Sequence, residues 1–227
     1  MENTKDRTLG RIAKLLMLHS SFIHNLGLMN GKIGIAIFFY HLSRHTNQKI
    51  YDDFAGELID EIYAEIHDHY PSDFKNGLCG IAWGVEYLIQ NHFVEADANE
   101  VLYDLDKMIF EWDVRKINDL TLETGLEGIA RYVIARCTGK QTMNITIPKD
   151  YIAELDTALE RNKKAEIATL LKRIQAGDNS NMKDYLLTDL ISRVKYNQKN
   201  LFNENLPLGI NNSGYAGIGL NLILKDI

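Results

Sequence analysis

Seven histidines, all before residue 93, and two cysteines, Cys79 and Cys137, are the side chains in this chain best suited to metal or nucleophilic chemistry. His41 and His45 stand four apart, a spacing at which two imidazoles on one helical face can share a metal ion. No Glu stands in the register of a zinc protease and no third ligand accompanies them, so the pattern favours structural or surface histidines. His67-Asp68-His69 closes an acidic segment, where a protonated imidazole suits the negative end of a helix, and Cys79 is its candidate third ligand. A cysteine nucleophile needs a base beside it, and the spacing fixes no pairing of Cys79 or Cys137 with a histidine. Packing as a small apolar residue is the default for both. Glu123 and Glu127 could act as a carboxylate pair of the glycosidase kind, although four apart beside a helix start they better suit the dipole. The chain has no phosphate loop, dinucleotide fingerprint or Ser-centred nucleophile elbow. The catalytic residues stay unassigned, and no cofactor is expected. Zinc remains open only through the weak candidates His41, His45 and Cys79.

The elements that must position any such group are organised around a pattern that occurs four times. Asn30-Gly31-Lys32-Ile33-Gly34-Ile35-Ala36 is the first copy and Asn76-Gly77-Leu78-Cys79-Gly80-Ile81-Ala82 the second. Thr124-Gly125-Leu126-Glu127-Gly128-Ile129-Ala130 and Ser213-Gly214-Tyr215-Ala216-Gly217-Ile218-Gly219 are the third and fourth. The leading glycine moves from 31 to 77 to 125 to 214, intervals of 46, 48 and 89 residues. The last is close to twice the others, so a fifth unit without glycines fits between. A fixed period of this size marks a helical repeat array.

Residues 7–24 place Leu9, Ile12, Leu15, Leu16, Phe22 and Ile23 at spacings of three and four, the stripe of an amphipathic helix that stops near Asn25 and Gly27. The first motif then opens a far more apolar helix through Ile35, Ile37, Phe38, Phe39 and Leu42, which must be buried on most sides. The alternation recurs: an acidic amphipathic helix over 51–67, an apolar one after 76, an outer helix over 96–112 and an apolar one after 124. This is the layout of stacked helical hairpins. The segment 139–211 is less regular. Residues 143–147 have β-branched character, Pro148 suits a first helical turn, and helices are expected over 149–161, 164–175 and 182–196, separated by Asn162 and by Gly177-Asp178-Asn179-Ser180. The last helix, 217–224, is an inner one whose hairpin has no partner of its own.

The first glycine of each motif can supply a backbone conformation closed to other residues, and the second lets a neighbour approach the first helical turn. Asn30, Asn76, Thr124 and Ser213 are good capping types. The inner helices would then bring their positive ends and unpaired N–H groups together, a rim suited to anions or carbonyl-rich ligands. That rim assigns Asn30, Gly31, Asn76, Gly77, Thr124, Gly125, Ser213 and Gly214 as ligand-binding residues. The bland alternative is that the glycines only permit packing.

In phase with alternating helices, the four motifs resemble the lanthionine synthetase C-like family, whose repeats open with a Gly-x-x-Gly or His-Gly-x-x-Gly element before an inner helix of an α/α toroid. The likeness covers 27–138 well and 212–224 moderately, while 139–211 matches only in being helical. Terpene cyclases and six-hairpin glycosidases share the architecture. The resemblance implies a zinc ion held by the Cys of a Trp-Cys-Tyr-Gly element and by a Cys-His pair just before another repeat's Gly. That metal would lower the pKa of substrate thiols, which add to dehydrated Ser or Thr and close thioether rings. In this chain those positions hold Met29-Asn30, Lys75-Asn76, Glu123-Thr124 and Asn212-Ser213, none of them Cys-His. Cys79 lies two residues after its glycine instead of two before, and Trp83 is followed by Gly84. The ligand set implied by the resemblance is missing.

Composition bounds the rest. A chain of 227 residues with 45% hydrophobic content suits one domain, 1–227, with motifs near 30–36, 76–82, 124–130 and 213–219. The expected fold is all-α, an incomplete α/α toroid of about four to five helical hairpins in inner and outer layers, which a second copy could complete as a homodimer. A net charge of -6 disfavours nucleic acid, no run suits a membrane span, and two cysteines with no signal peptide place the chain in the cytoplasm. Residues 161–199 carry nine Lys/Arg against four Asp/Glu, either a solvated face or a dock for an acidic partner. The function expected is a non-catalytic binding module for a peptide or partner enzyme, accessory to peptide modification. The alternative is a metal-dependent thioether cyclase with nonstandard ligands.

Overall fold

Apolar residues recurring at three- and four-residue spacings make every regular element of the described chain helical. The computed structural model describes residues 4–67, 69–139, 147–161, 165–176, 186–197, 201–202, 206–211 and 213–225. In chain order the helices are α1 (Thr4–His19), α2 (Lys32–Thr46), α3 (Lys49–Glu65), α4 (Leu78–Gln90), α5 (Ala98–Val101) and α6 (Tyr103–Phe110). They continue with α7 (Leu126–Thr138), α8 (Lys149–Arg161), α9 (Ala165–Gln175), α10 (Leu186–Ser192) and α11 (Tyr215–Leu224). The chain divides into two compact units, one built from Met1–Ile66 with Tyr185–Ile227 and the other from His67–Asp184.

In the first unit α2 is the buried element: every residue from Lys32 to Leu42 is covered, as a helix apolar nearly all round requires. Its cover comes from α3, α11 and α1. The two outer helices bury single stripes only, Leu9, Ile12, Ala13 and Leu16 on α1 and Ala55, Leu58 and Ile62 on α3. The inner helices α2 and α11 lie directly on one another, since a Cβ on Gly219 would come within 2.2 Å of the Phe38 ring. Two expectations are corrected here. The last inner helix starts at Tyr215, not at residue 217, and it does have a hairpin partner. That partner is α10, tied to it by the buried Asn221, whose Nδ2 donates to the Ile191 carbonyl at 2.6 Å.

The second unit repeats the scheme. Helix α4 packs on α7 and α6, and α7 packs in turn on α8 and α9. The helix expected over 96–112 is broken: α5 and α6 are separated at Leu102, whose backbone (φ -94°, ψ 1°) leaves the helical region while its side chain stays fully buried. Helix α8 occupies the residues expected of it, and with Pro148 just before it, the Pro148 carbonyl accepts the Ile152 N–H. Helices α8 and α9 pack on each other with Ile167, Ala168 and Leu171 of α9 buried. The two are a packed helical pair whose helix starts carry no Gly-x-x-Gly element. The extended character expected over 143–146, the breaks at Asn162 and at 177–180, and the start of the helix expected from 182 lie outside the described residues. Among the described residues no helix is long and apolar enough to cross a membrane.

Candidate functional site

The motif glycines are themselves the N-caps of the inner helices: Gly31 for α2, Gly77 for α4, Gly125 for α7 and Gly214 for α11. Their backbone is extended (φ -127°, -109°, -119° and -68°), a conformation open to any residue. The expectation of a special dihedral is therefore overturned, and space is the true requirement. A Cβ on Gly31 would lie 2.3 Å from the Asn25 carbonyl oxygen, on Gly77 2.2 Å from that of Pro71, and on Gly125 2.3 Å from that of Asp119. Those same three carbonyls accept the N–H of the next residue, from Lys32 at 2.9 Å, Leu78 at 2.7 Å and Leu126 at 2.9 Å. Each loop folds back so that its own backbone caps the helix it opens.

The N-cap position expected of Asn30, Asn76, Thr124 and Ser213 is taken in each case by the glycine that follows. Thr124 donates its hydroxyl to the Asp119 carboxylate, and Ser213 Oγ accepts the Lys195 N–H at 2.9 Å. Asn76 gives its N–H to Asp73 Oδ1 at 2.7 Å. Several of the N–H groups expected to be unpaired at the helix starts are paired by the loop before them. In α2, Lys32 and Ile33 donate to Asn25 and Leu26; in α11, Tyr215, Ala216 and Gly217 donate to Pro207, Leu208 and Gly209. These starts keep their dipoles, while the named donors are taken.

Within each unit two motif loops are laced by one device. The Met29 carbonyl, two residues before Gly31, accepts the N–H groups of Ile210 (2.8 Å) and Asn211 (2.9 Å). The Glu123 carbonyl, two residues before Gly125, accepts those of Phe74 (3.1 Å) and Lys75 (2.9 Å). At the second glycine of each receiving motif a Cβ would meet first its own loop, the Leu28 carbonyl oxygen at 2.1 Å from Gly34 and that of Leu122 at 2.4 Å from Gly128, and then the neighbour, Ile210 at 3.1 Å and Phe74 at 2.5 Å. This is the close approach that the spacing predicts.

At these positions the resemblance implies thiol and imidazole ligands, and the residues present do not fit a metal. Lys75 Nζ is bonded to Glu123 Oε2 at 2.5 Å, and an ammonium ion cannot ligate zinc. Among the described residues no group of three or more His, Cys, Asp or Glu side chains is placed to hold a metal ion. Cys79 is fully buried, and burial with Asp73 nearby pushes its thiol well up, the opposite of what a ligand or nucleophile needs. Burial likewise pushes the half-buried Cys137 up to about 11. His41 is buried while His45 faces Asp6 across 3.5 Å. His67 and His69 stack edge to face past the end of α3, with Asp68 outside the described residues. Glu127 is drawn toward Arg131 at 3.9 Å and Glu123 toward Lys75, so the two carboxylates serve different cations.

Burial, aided by Arg44, pushes His41 down to about 4. An unfolded chain protonates this imidazole near its ordinary value of about 6.5, so between there and about 4 the unfolded state binds more protons. Stability contributed by neutral His41 is thus present above that window and lost as pH falls through it. Urea midpoints measured at pH 7.5 and pH 5 should show this loss, and His41→Gln should flatten it.

Sequence reasoning missed the most strongly built polar cluster in the second unit. Arg136 of α7, 2% exposed, donates from Nη1 to Glu86 Oε2 (3.1 Å), from Nη2 to Asp106 Oδ2 (2.8 Å) and to Asn99 Oδ1 (3.2 Å), and from Nε to Asp106 (3.2 Å). Tyr132 gives its hydroxyl to Asp106, and Gln90 gives its amide to Glu86 at 2.8 Å. Burial pushes the Glu86 carboxyl up, against Gln90 and Arg136, which pull it down. Clefts of about 310 and 280 Å³ flank Arg136. The one signal in sequence is Glu86, the single charged residue inside the otherwise uncharged α4; Arg136 shares α7 with Glu127 and Arg131 and does not stand out.

Inner helices opened by Gly-x-x-Gly turns, capped by their own loops and covered by half-polar outer helices, define a hairpin-repeat protein of the toroid-forming class. The chain belongs to the lanthionine synthetase C-like family, whose sequence profile, described as lanthionine synthetase C-like protein, matches residues 23–216. No curated protein matches the chain.

Proposed function

We propose that this family member is a non-catalytic binding module that holds a peptide or a partner enzyme at the motif end of its inner helices, accessory to peptide modification. The observation that carries the reading is the pair Lys75–Glu123, an ion pair at the positions where zinc chemistry would need thiols. Its two side chains are 26% and 45% exposed, accessible enough to meet a ligand's charges. The neighbouring Asn76 and Thr124 are engaged in the turns of their own loops.

Protein purified without added zinc should contain far less than one equivalent of any transition metal by mass spectrometry, and Cys79→Ala should leave this unchanged. Stoichiometric zinc would overturn the reading in favour of a metal-dependent cyclase with nonstandard ligands. The binding half is tested by panning a library of short displayed peptides on the wild type and on the double variant Lys75→Glu, Glu123→Lys. Sequences enriched by the first and lost by the second are expected. No enrichment, or enrichment indifferent to the double variant, removes the motif end as the binding site.

A further inference from the structure

We propose that the outward face of α1 docks the protein on an anionic membrane surface, with its basic side chains on the lipid headgroups and Leu18 and Phe22 at the acyl boundary. The chain would lie on the bilayer and not cross it. This role does not depend on the one assigned to the motif end.

Helical geometry assembles the face. Arg7, Arg11, Lys14 and Leu18 follow one another at spacings of four, three and four, so they form one ladder along α1. The ladder lies opposite the stripe of Leu9, Ile12, Ala13 and Leu16 that α1 buries, and all four of its side chains are exposed. Phe22 carries it into the short 3₁₀ turn Ser20–Phe22. Leu18 and Phe22, 71% and 77% exposed, are the most exposed large apolar side chains among the described residues. An outer helix ordinarily turns a polar back to solvent, and here the back ends in bare leucine and phenylalanine.

Charge selects the occupant. Residues 4–24 hold Lys5, Arg7, Arg11 and Lys14 against the single acid Asp6, a local +3 in a chain of net charge -6. Asp6 stands off the ladder and faces His45 at 3.5 Å. Arg7 and Lys14 have no acidic partner among the described residues, and Arg11 lies over the Phe202 ring at 3.8 Å without losing its exposure. A second copy of the same face would set these cations against one another, which disfavours self-association. The face is also the convex back of one helix, which a fluid layer of headgroups can follow but which offers a peptide no groove walls of its own. Cations beside exposed apolar side chains suit an anionic leaflet, whose headgroups attract the first and whose acyl boundary takes the second.

Flotation of the full chain with vesicles of phosphatidylcholine alone, and of roughly three parts phosphatidylcholine to one of phosphatidylserine, tests this. Binding to the anionic vesicles should be about tenfold or more tighter, and should fall steeply between about 0.1 and about 0.5 M salt. Arg7→Gln with Lys14→Gln should weaken it about twenty- to thirtyfold, the product of about fivefold for each cation. Leu18→Ser with Phe22→Ser should weaken it about tenfold or more and leave the salt dependence in place. All four positions are exposed, so both double variants should keep the circular dichroism spectrum and melting temperature of the wild type. Brominated acyl chains in the anionic vesicles should quench Phe22→Trp beyond the wild type, which a purely electrostatic contact would not do. No binding to either vesicle assigns the face to an acidic protein and overturns the proposal. Equal affinity for the two vesicles, binding indifferent to both double variants, or binding without the added quenching overturns it as well.

Discussion

Arg136→Met should lower the stability of the protein by about 3–5 kcal/mol, read as a shift of the urea midpoint at constant slope. The loss does not measure the worth of the ion pairs, since taking three charges out of water offsets much of their attraction. It measures the state left behind, in which Glu86 and Asp106, 1% and 8% exposed, keep their burial and lose their common partner. Replacing Glu86, Asp106 and Arg136 together with apolar residues of similar volume should recover most of the loss, because no orphaned charge remains. A cost below about 1 kcal/mol for the single change would mean that water reaches the carboxylates and that the cluster is a surface feature.

Alanine at the motif glycines should be the other severe change. At Gly77 the new Cβ would meet the Pro71 carbonyl oxygen at 2.2 Å and the Asp73 nitrogen at 2.6 Å, both backbone atoms. Relief requires moving the carbonyl that caps Leu78, so overpacking and a broken cap act together, at about 1–3 kcal/mol for the first and about 1 kcal/mol more for the second. Gly31→Ala and Gly125→Ala should behave alike, having the same geometry. Gly10 and Gly56 are the internal control: a Cβ at either meets nothing within 4 Å, and each lies inside a helix. Alanine there should stabilise by about 0.5–1 kcal/mol through lost freedom in the unfolded chain. Thermal unfolding of the five variants should separate them into two groups of opposite sign.

What could be read from sequence, and what could not, divides along the range of the interactions. The inner and outer character of α1 to α4 follows from local periodicity, and so do the bounds of α8. The reason for the glycines was not legible: a clash with a carbonyl six residues earlier looks in sequence the same as a demand for unusual dihedrals. Nor was the hairpin of α10 with α11, which rests on one buried amide, Asn221, and a carbonyl thirty residues before it. The cluster of Glu86, Asp106 and Arg136 joins three helices through contacts that no local window contains. At the motif ends the chemistry is a property of pairs such as Lys75 and Glu123, which only folding brings together.

The composition of the first unit has a consequence for how the protein comes into being. Its buried helix α2 needs α11 as part of its cover, yet residues 47–214 separate them. At roughly 5–20 residues per second of synthesis, the most apolar early segment of the nascent chain waits on the order of ten seconds for that cover. The second unit, continuous from His67 to Asp184, has no such wait and can complete itself on the ribosome first. Phe38 and its neighbours are therefore the natural point at which a chaperone would hold the growing chain, and truncation before Tyr215 would leave that point permanently exposed.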